Sequence, residues 1–143
     1  LMVGRADFYQ LKSSDPASRY PLLCRLLEKS VASGQHVYIQ CEDEAESLHL
    51  DEYIWAFKPD SFIPHERVGE GNQAKVIIGY AYLETSGLPK HSDICINLSK
   101  TLAPKNFERI IELVTQDPAM LASARSHYSQ YSQMGRTMQY HKL

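Results

Sequence analysis

The sequence is poor in most of the features that announce chemistry. It holds three cysteines in 143 residues, Cys24, Cys41 and Cys95. An odd, widely spaced set does not make a disulfide framework, and no Cys-x-x-Cys or Cys-x-x-His pair offers metal-ligand spacing. Each sits among apolar residues, so all three read as buried thiols. The six histidines, His36, His49, His65, His91, His127 and His141, are scattered, with neither His-x-His nor His-x-x-x-His spacing. Neither charge sign dominates: 15 Lys and Arg face 17 Asp and Glu, a net charge of −2 and a pI near 6.3. That leaves no whole-chain basic field to hold a nucleic-acid backbone, so work near DNA is expected to pass through another protein. No apolar run reaches the roughly 20 residues that span a bilayer. Leu1-Met2-Val3-Gly4 also lacks the charged-then-apolar layout of a signal peptide. The chain is therefore expected in the cytoplasm, away from membranes, with Met2 as its native start and Leu1 as an added residue.

Glycine signatures are missing as well. The first strand candidate, Ala6 to Leu11, is followed by Lys12-Ser13-Ser14-Asp15, with none of the glycines that let a backbone approach a pyrophosphate. Neither GxGxxG nor GxxxxGK[ST] occurs. Gly69-Glu70-Gly71 is the one Gly-x-Gly; it carries an acid between its glycines and reads as a turn. There is no Gly-x-Ser-x-Gly elbow for a serine hydrolase. A Cys–His nucleophile pair stays open to the sequence, but a thiol buried in a regular element has its pKa raised and is unreactive.

What is present is an alternation of helix and strand signals in a length that suits one domain, residues 1–143. Asp15-Pro16 is a cap followed by a first-turn proline. It opens a helix whose Leu22, Leu23, Leu26, Leu27 and Val31 recur at helical spacing up to Gly34. His36 to Cys41 is β-rich. Glu42, Asp43 and Glu44 read as the start of a second helix, where carboxylates meet the positive end of the helix dipole. A metal site would want a second acidic cluster at fixed spacing, and none supports it. That helix runs to about Phe57 and stops at Lys58-Pro59. Ala45, Leu48 and Trp55 lie on one side of it and Leu50, Ile54 and Phe57 on another, so one side faces the sheet and the other needs a loop or a partner. Lys75–Gly79 and Asp93–Asn97 are further strands, with a loop from Glu84 to Ser92 around Gly87-Leu88-Pro89. Phe107, Ile110, Ile111 and Val114 mark a third helix by their i, i+3, i+4, i+7 stripe. Asp117-Pro118 opens a fourth, ending at Gly135, and Thr137 to Tyr140 reads as a last edge strand. The expected fold is α/β: a Rossmann-like three-layer domain with a mostly parallel sheet and helices on both faces.

Two regions carry interface-type residues. Leu50 to Gly71 holds the only tryptophan, two phenylalanines, two prolines and His65. Prolines stiffen the loop, so aromatics on it are presented at low entropic cost and make good anchors. Trp55 and Phe62 capping the domain's own core fits the residues equally well. The last helix places Arg125, His127, Tyr128, Tyr131 and Arg136 within about three turns. Arg125 and Tyr128, three apart, share a face that suits a carboxylate attached to a hydrophobic side chain. The competing reading is a solvated helix whose tyrosines pack on the sheet.

At these residues the chain resembles a known family. Cys41-Glu42-Asp43-Glu44, Leu50-Asp51-Glu52 with Trp55, Ser61-Phe62-Ile63-Pro64-His65, and Gly69-Glu70-Gly71 are similar to the chi subunit of bacterial DNA polymerase III. So are Asp117-Pro118 and the series Arg125, Tyr128, Tyr131, Gly135. The match follows nearly the whole chain in order. The resemblance implies a replication accessory subunit without an active site, metal or cofactor. It also implies pairing with the psi subunit, which tethers it to the clamp loader, through Trp55, Phe62, Pro64 and His65. It further implies a pocket for the acidic C-terminal tail of the single-stranded-DNA-binding protein around Arg125 and Tyr128, with Val114 and Met138 as apolar walls. Ser129 stands where some members carry a lysine; the lost cation implies weaker tail binding unless Arg136, His141 or Lys142 compensates. The rival expectation is a small nucleotide-binding or hydrolytic enzyme on the same fold. The glycine-free first turn speaks against it.

Overall fold

The computed structural model describes residues 4–58, 60, 62–71, 73–83, 88–89 and 91–143. Leu1, Met2, Val3, Pro59, Ser61, Glu84 and Gly87, named above, lie outside the described residues.

Local signals build the helices largely where the sequence puts them. After β1 (Arg5–Gln10) the Asp15 side chain accepts from Ala17 N at 3.0 Å. It caps a single 3-10 turn, Pro16–Ser18, before α1 (Arg19–Ala32) begins. Tyr20, Leu23, Cys24, Leu27 and Ser30 are α1's buried stripe. Gly34 ends it at φ 77°, a conformation glycine enters without penalty. β2 (Val37–Cys41) follows. Asp43 then accepts from Glu46 N at 2.8 Å and caps α2 (Glu44–Ala56), which makes the acidic run a helix N-terminus.

The second half departs from the sequence reading in two places. A short strand, β3 (His65–Arg67), precedes β4 (Val76–Tyr80) and β5 (Ile94–Asn97). The stretch expected as a third helix is instead a strand, β6 (Arg109–Val114). Ile110 to Val114 is buried on both faces, and a strand of that kind shows no alternation. Its apolar run fits a helical stripe by accident. α3 (Pro118–Gln133), capped by Asp117, and β7 (Thr137–Lys142) complete the chain.

Seven strands form one sheet in the order β3-β4-β2-β5-β6-β1-β7, and every described pairing is parallel. α1 and α2 cover one face over Val37, Ile39, Val76, Ile78, Ile94 and Ile96. α3 covers the other with Phe8, Tyr38, Ile110, Ala124 and Tyr131. The fold is thus the three-layer α/β arrangement the sequence predicts.

Because β6 is a strand, the β5-to-β6 connection (98–108) makes its parallel crossover without a helix. Buried polar groups pin it instead. The Glu112 carboxylate, 4% exposed, accepts from Asn97 Nδ2 (2.8 Å) and Tyr131 Oη (2.7 Å) and lies 3.1 Å from His127 Nδ1. Tyr131 Oη accepts from Ala103 N, and His127 Nε2 lies 2.9 Å from Lys100 O. Arg136 donates to the carbonyls of Lys105 (3.1 Å) and Phe107 (2.8 Å). Every one of these groups satisfies backbone or side-chain partners that an irregular buried segment leaves open.

Candidate functional site

The predicted residues gather in two places, at opposite edges of the sheet. The first is at β3. The α2 side that has no sheet to cover keeps Leu48 and Trp55 exposed, Trp55 at 58%. Phe62, 70% exposed, stands beside it with ring centroids 5.8 Å apart, and the His65 ring lies 4.7 Å from the indole. His65 itself is buried. Its Nδ1 is 2.6 Å from Ile63 O, and its Nε2 is 3.2 Å from both Asp51 O and Asp51 Oδ1. The imidazole therefore fastens the strand start to α2 and holds the aromatic pair up, while Pro64 is half-buried behind it. Two large aromatics side by side in solvent do not cap this domain's own core; that half of the sequence reading falls away.

The second place is a cavity of about 530 Å³ between α3 and the β1–β7 edge. From α3 come Leu121, Ala124, Arg125 and Tyr128; from β7, Tyr140 and Lys142; Gln10 and Gln116 close it. Parallel pairing sets Phe8 opposite Tyr140 and Gln10 opposite Lys142. Buried Phe8 stacks on Tyr140 at 5.9 Å and meets Tyr128 at 5.4 Å, and Tyr128 and Tyr140 meet edge to face at 6.2 Å. Tyr140 Oη donates to Gln10 Oε1 at 2.6 Å. The Tyr140 pKa is raised by burial, with the Arg125 charge pulling the other way. Among the described residues neither Arg125 nor Lys142 has a side-chain hydrogen bond or ion pair, and no lining residue is acidic. An aromatic-floored hollow flanked by two unpaired cations suits a carboxylate-bearing apolar group.

The other predicted positions fall around this cavity rather than in it. Val114, 1% exposed, is core beneath α3. Met138 is partly buried against the Phe8 cluster, on the same face of β7 as Tyr140. Ser129 is exposed and accepts from Gln133 Nε2 at 3.4 Å. His127, Tyr131 and Arg136 are structural, spent on the 98–108 connection. Of the three cations named as substitutes for a lysine at 129, Arg136 is engaged and His141 stacks on Tyr9 at 4.7 Å; Lys142 lines the cavity. Tyr140, Gln10 and Gln116 are not singled out by the sequence, and Lys142 enters there only as a substitute cation, because their place depends on β7 lying beside β1, a pairing no local pattern announces.

The rest of the chain offers little reactive chemistry. The three cysteines are buried and free. Burial, with the Glu28 charge adding to it, pushes the Cys24 thiol up to about 12, and burial also raises Cys41 and Cys95. No helix among the described residues is long and apolar enough to cross a membrane.

Comparison with known proteins decides the family. Residues 3–139 match the family model described as DNA polymerase III chi subunit, HolC. The chain belongs to the DNA polymerase III chi-subunit family. It is 39% identical to DNA polymerase III subunit chi of Pseudomonas aeruginosa over 97% of this chain and 96% of the relative. To the subunit chi of Haemophilus influenzae it is 32% identical over 94% of each chain. To that of Escherichia coli it is 30% identical over 80% of this chain and 78% of the relative. As a chi subunit it is an accessory component of the replication machinery.

Proposed function

We propose that this chi-family chain is a non-catalytic adaptor with two docking surfaces. The Trp55, Phe62, Pro64 and His65 surface receives the psi subunit and so reaches the clamp loader. The cavity beside Arg125 and Tyr128 receives the acidic C-terminal tail of the single-stranded-DNA-binding protein.

One observation carries this reading: the exposed aromatic pair and the cationic cavity sit at the two ends of the sheet. Six strand spacings separate β3 from β7, about 29 Å at roughly 4.8 Å each. Two partners at that distance bind without competing for space, which is what an adaptor requires. The chemistry of each end matches its partner. Clustered exposed aromatics supply desolvated anchors for a stable subunit contact. Unpaired cations over an aromatic floor supply a salt-sensitive grip on an acidic peptide.

The enzymatic alternative finds less support. In an open parallel sheet a ligand sits at the carboxyl ends of the strands, over the first turn. Here that turn has no glycine, and Gln116 engages the carbonyls of Leu11 and Ser13.

Co-elution with psi on a sizing column tests the first surface. The wild-type chain is expected to elute as a heterodimer, and Phe62→Ala with Trp55→Ala to elute free. An intact complex of the double variant would move the psi contact elsewhere.

A further inference from the structure

Two of the histidines that the sequence scatters, His36 and His91, meet at the amino edge of the sheet. Parallel pairing sets Val37 of β2 opposite Ile94 of β5, which brings the residues just before each strand together. The His36 and His91 rings stack with centroids 5.2 Å apart. Asp93 Oδ2 accepts from His36 N at 3.0 Å and lies 3.5 Å from His36 Nδ1. The other side of the His91 ring stands edge-on to buried Phe107, 5.8 Å away. Both His91 ring nitrogens are shut off from solvent, and neither has a hydrogen-bond partner among the described residues. A buried imidazole with no partner keeps its seat only while it is neutral, because a charge there would be desolvated and unpaired. Among the described residues no three His, Cys, Asp or Glu side chains are set to hold a metal ion. The chemistry open to two imidazoles and a carboxylate in this arrangement is proton exchange.

We propose that His91 is a proton-operated latch at the amino edge of the sheet: neutral, it packs between His36 and Phe107; protonated, it leaves that seat and loosens the junction of β5 with β6. The junction hangs on the residues next to the ring. Ser92 O accepts from Glu108 N at 2.8 Å, and Asp93 O accepts from Arg109 N at 3.0 Å. The charges around the latch favour the same sequence of events. Burial first, then the His36 charge, hold the His91 pKa below the usual imidazole range, with Asp93 pulling the other way. Beside Asp93 lies a polar hollow of about 440 Å³, also lined by Arg5, Glu108 and Arg109. Both arginines there are drawn to the buried Asp7 carboxylate, at 3.3 and 2.6 Å, so Asp93 and Glu108 remain as carboxylates for a charged ring to face. The Phe107 ring offers no charge of either sign. A lowered folded-state value means that the neutral seat contributes stability above about pH 6.5, lost as pH falls through the folded pKa. That is the opposite sense to a histidine held by a carboxylate.

The test is amide hydrogen exchange on the full chain between about pH 5 and 8, read beside the histidine ring signals by NMR. The Glu108 amide reports the junction. The Leu98 amide, which donates to Gln40 O at the carboxyl end of β5, reports global opening. Corrected for intrinsic rates, Glu108 protection is expected to fall about tenfold per pH unit from roughly pH 6.5 down to the pH at which the His91 ring titrates. Leu98 protection is expected to stay level over that window. His91→Phe, which keeps a ring against Phe107 and removes the titrating group, is expected to make the Glu108 profile flat. His36→Gln removes the opposing charge and is expected to move the His91 titration upward. A His91 ring that titrates at or above the ordinary imidazole value, or Glu108 protection that does not follow it, would overturn the latch. An equal fall at Leu98 would assign the loss to global unfolding and overturn it as well.

Discussion

His127 Nδ1 lies 3.1 Å from Glu112 Oε1, with both side chains about 5% exposed or less. The other ring nitrogen faces the Lys100 carbonyl, so both nitrogens look at oxygen acceptors and the doubly protonated ring fits best. Burial lowers the His127 pKa, but the Glu112 bond and charge and the Lys100 carbonyl outweigh it, and the net shift is upward. A raised folded-state value contributes stability that is complete below about pH 6.5 and lost as pH rises through the folded pKa. Urea midpoints measured from pH 6 upward are therefore expected to fall in the wild-type chain relative to His127→Gln. A constant difference between the two across that range would contradict the pairing. Glu112→Ala leaves the imidazolium and the Tyr131 and Asn97 donors unmatched, and is expected to cost about 3 kcal/mol or more.

Tyr38 offers a prediction of opposite sign. Its ring is fully buried and stacks on Phe107 at 5.7 Å, but its hydroxyl has no hydrogen-bond partner among the described residues. A buried unsatisfied hydroxyl costs about 1–3 kcal/mol. Tyr38→Phe is expected to raise the denaturant midpoint, while Gly79→Ala, whose new methyl would be built into that ring, is expected to lower it.

Trp55→Ala and Phe62→Ala are expected to leave thermal stability nearly unchanged, because both side chains are largely in solvent. Against psi each is expected to cost about 2 kcal/mol or more, the scale of an interface anchor. Calorimetric unfolding of the free variants, run beside psi titrations, separates the two effects. A large drop in Tm would mean the pair is structural.

The legible parts of the fold were those with local punctuation. Asp43 and Asp117 cap α2 and α3, Asp15-Pro16 caps the 3-10 turn that leads into α1, and Gly34 marks an end. β6 was illegible because Ile110 to Val114 is buried on both faces, so nothing in its pattern distinguishes strand from helix. β3 is three residues long and carries Glu66 and Arg67, too little to signal a strand. The site divides the same way. Arg125 and Tyr128 share one helix face and were found from spacing. Tyr140 and Lys142 belong to the site through the pairing of β7 with β1, a long-range fact. His127 and Tyr131 looked like binding residues because their partner, Glu112, sat in a segment read as a helix.

The most direct test of the adaptor reading is a titration of the labelled acidic tail peptide into the chain already bound to psi. The account predicts saturable, micromolar, salt-weakened binding with psi still attached. It also predicts that Arg125→Ala weakens peptide binding without releasing psi. Displacement of psi by the peptide, or no peptide binding at low salt, would contradict it.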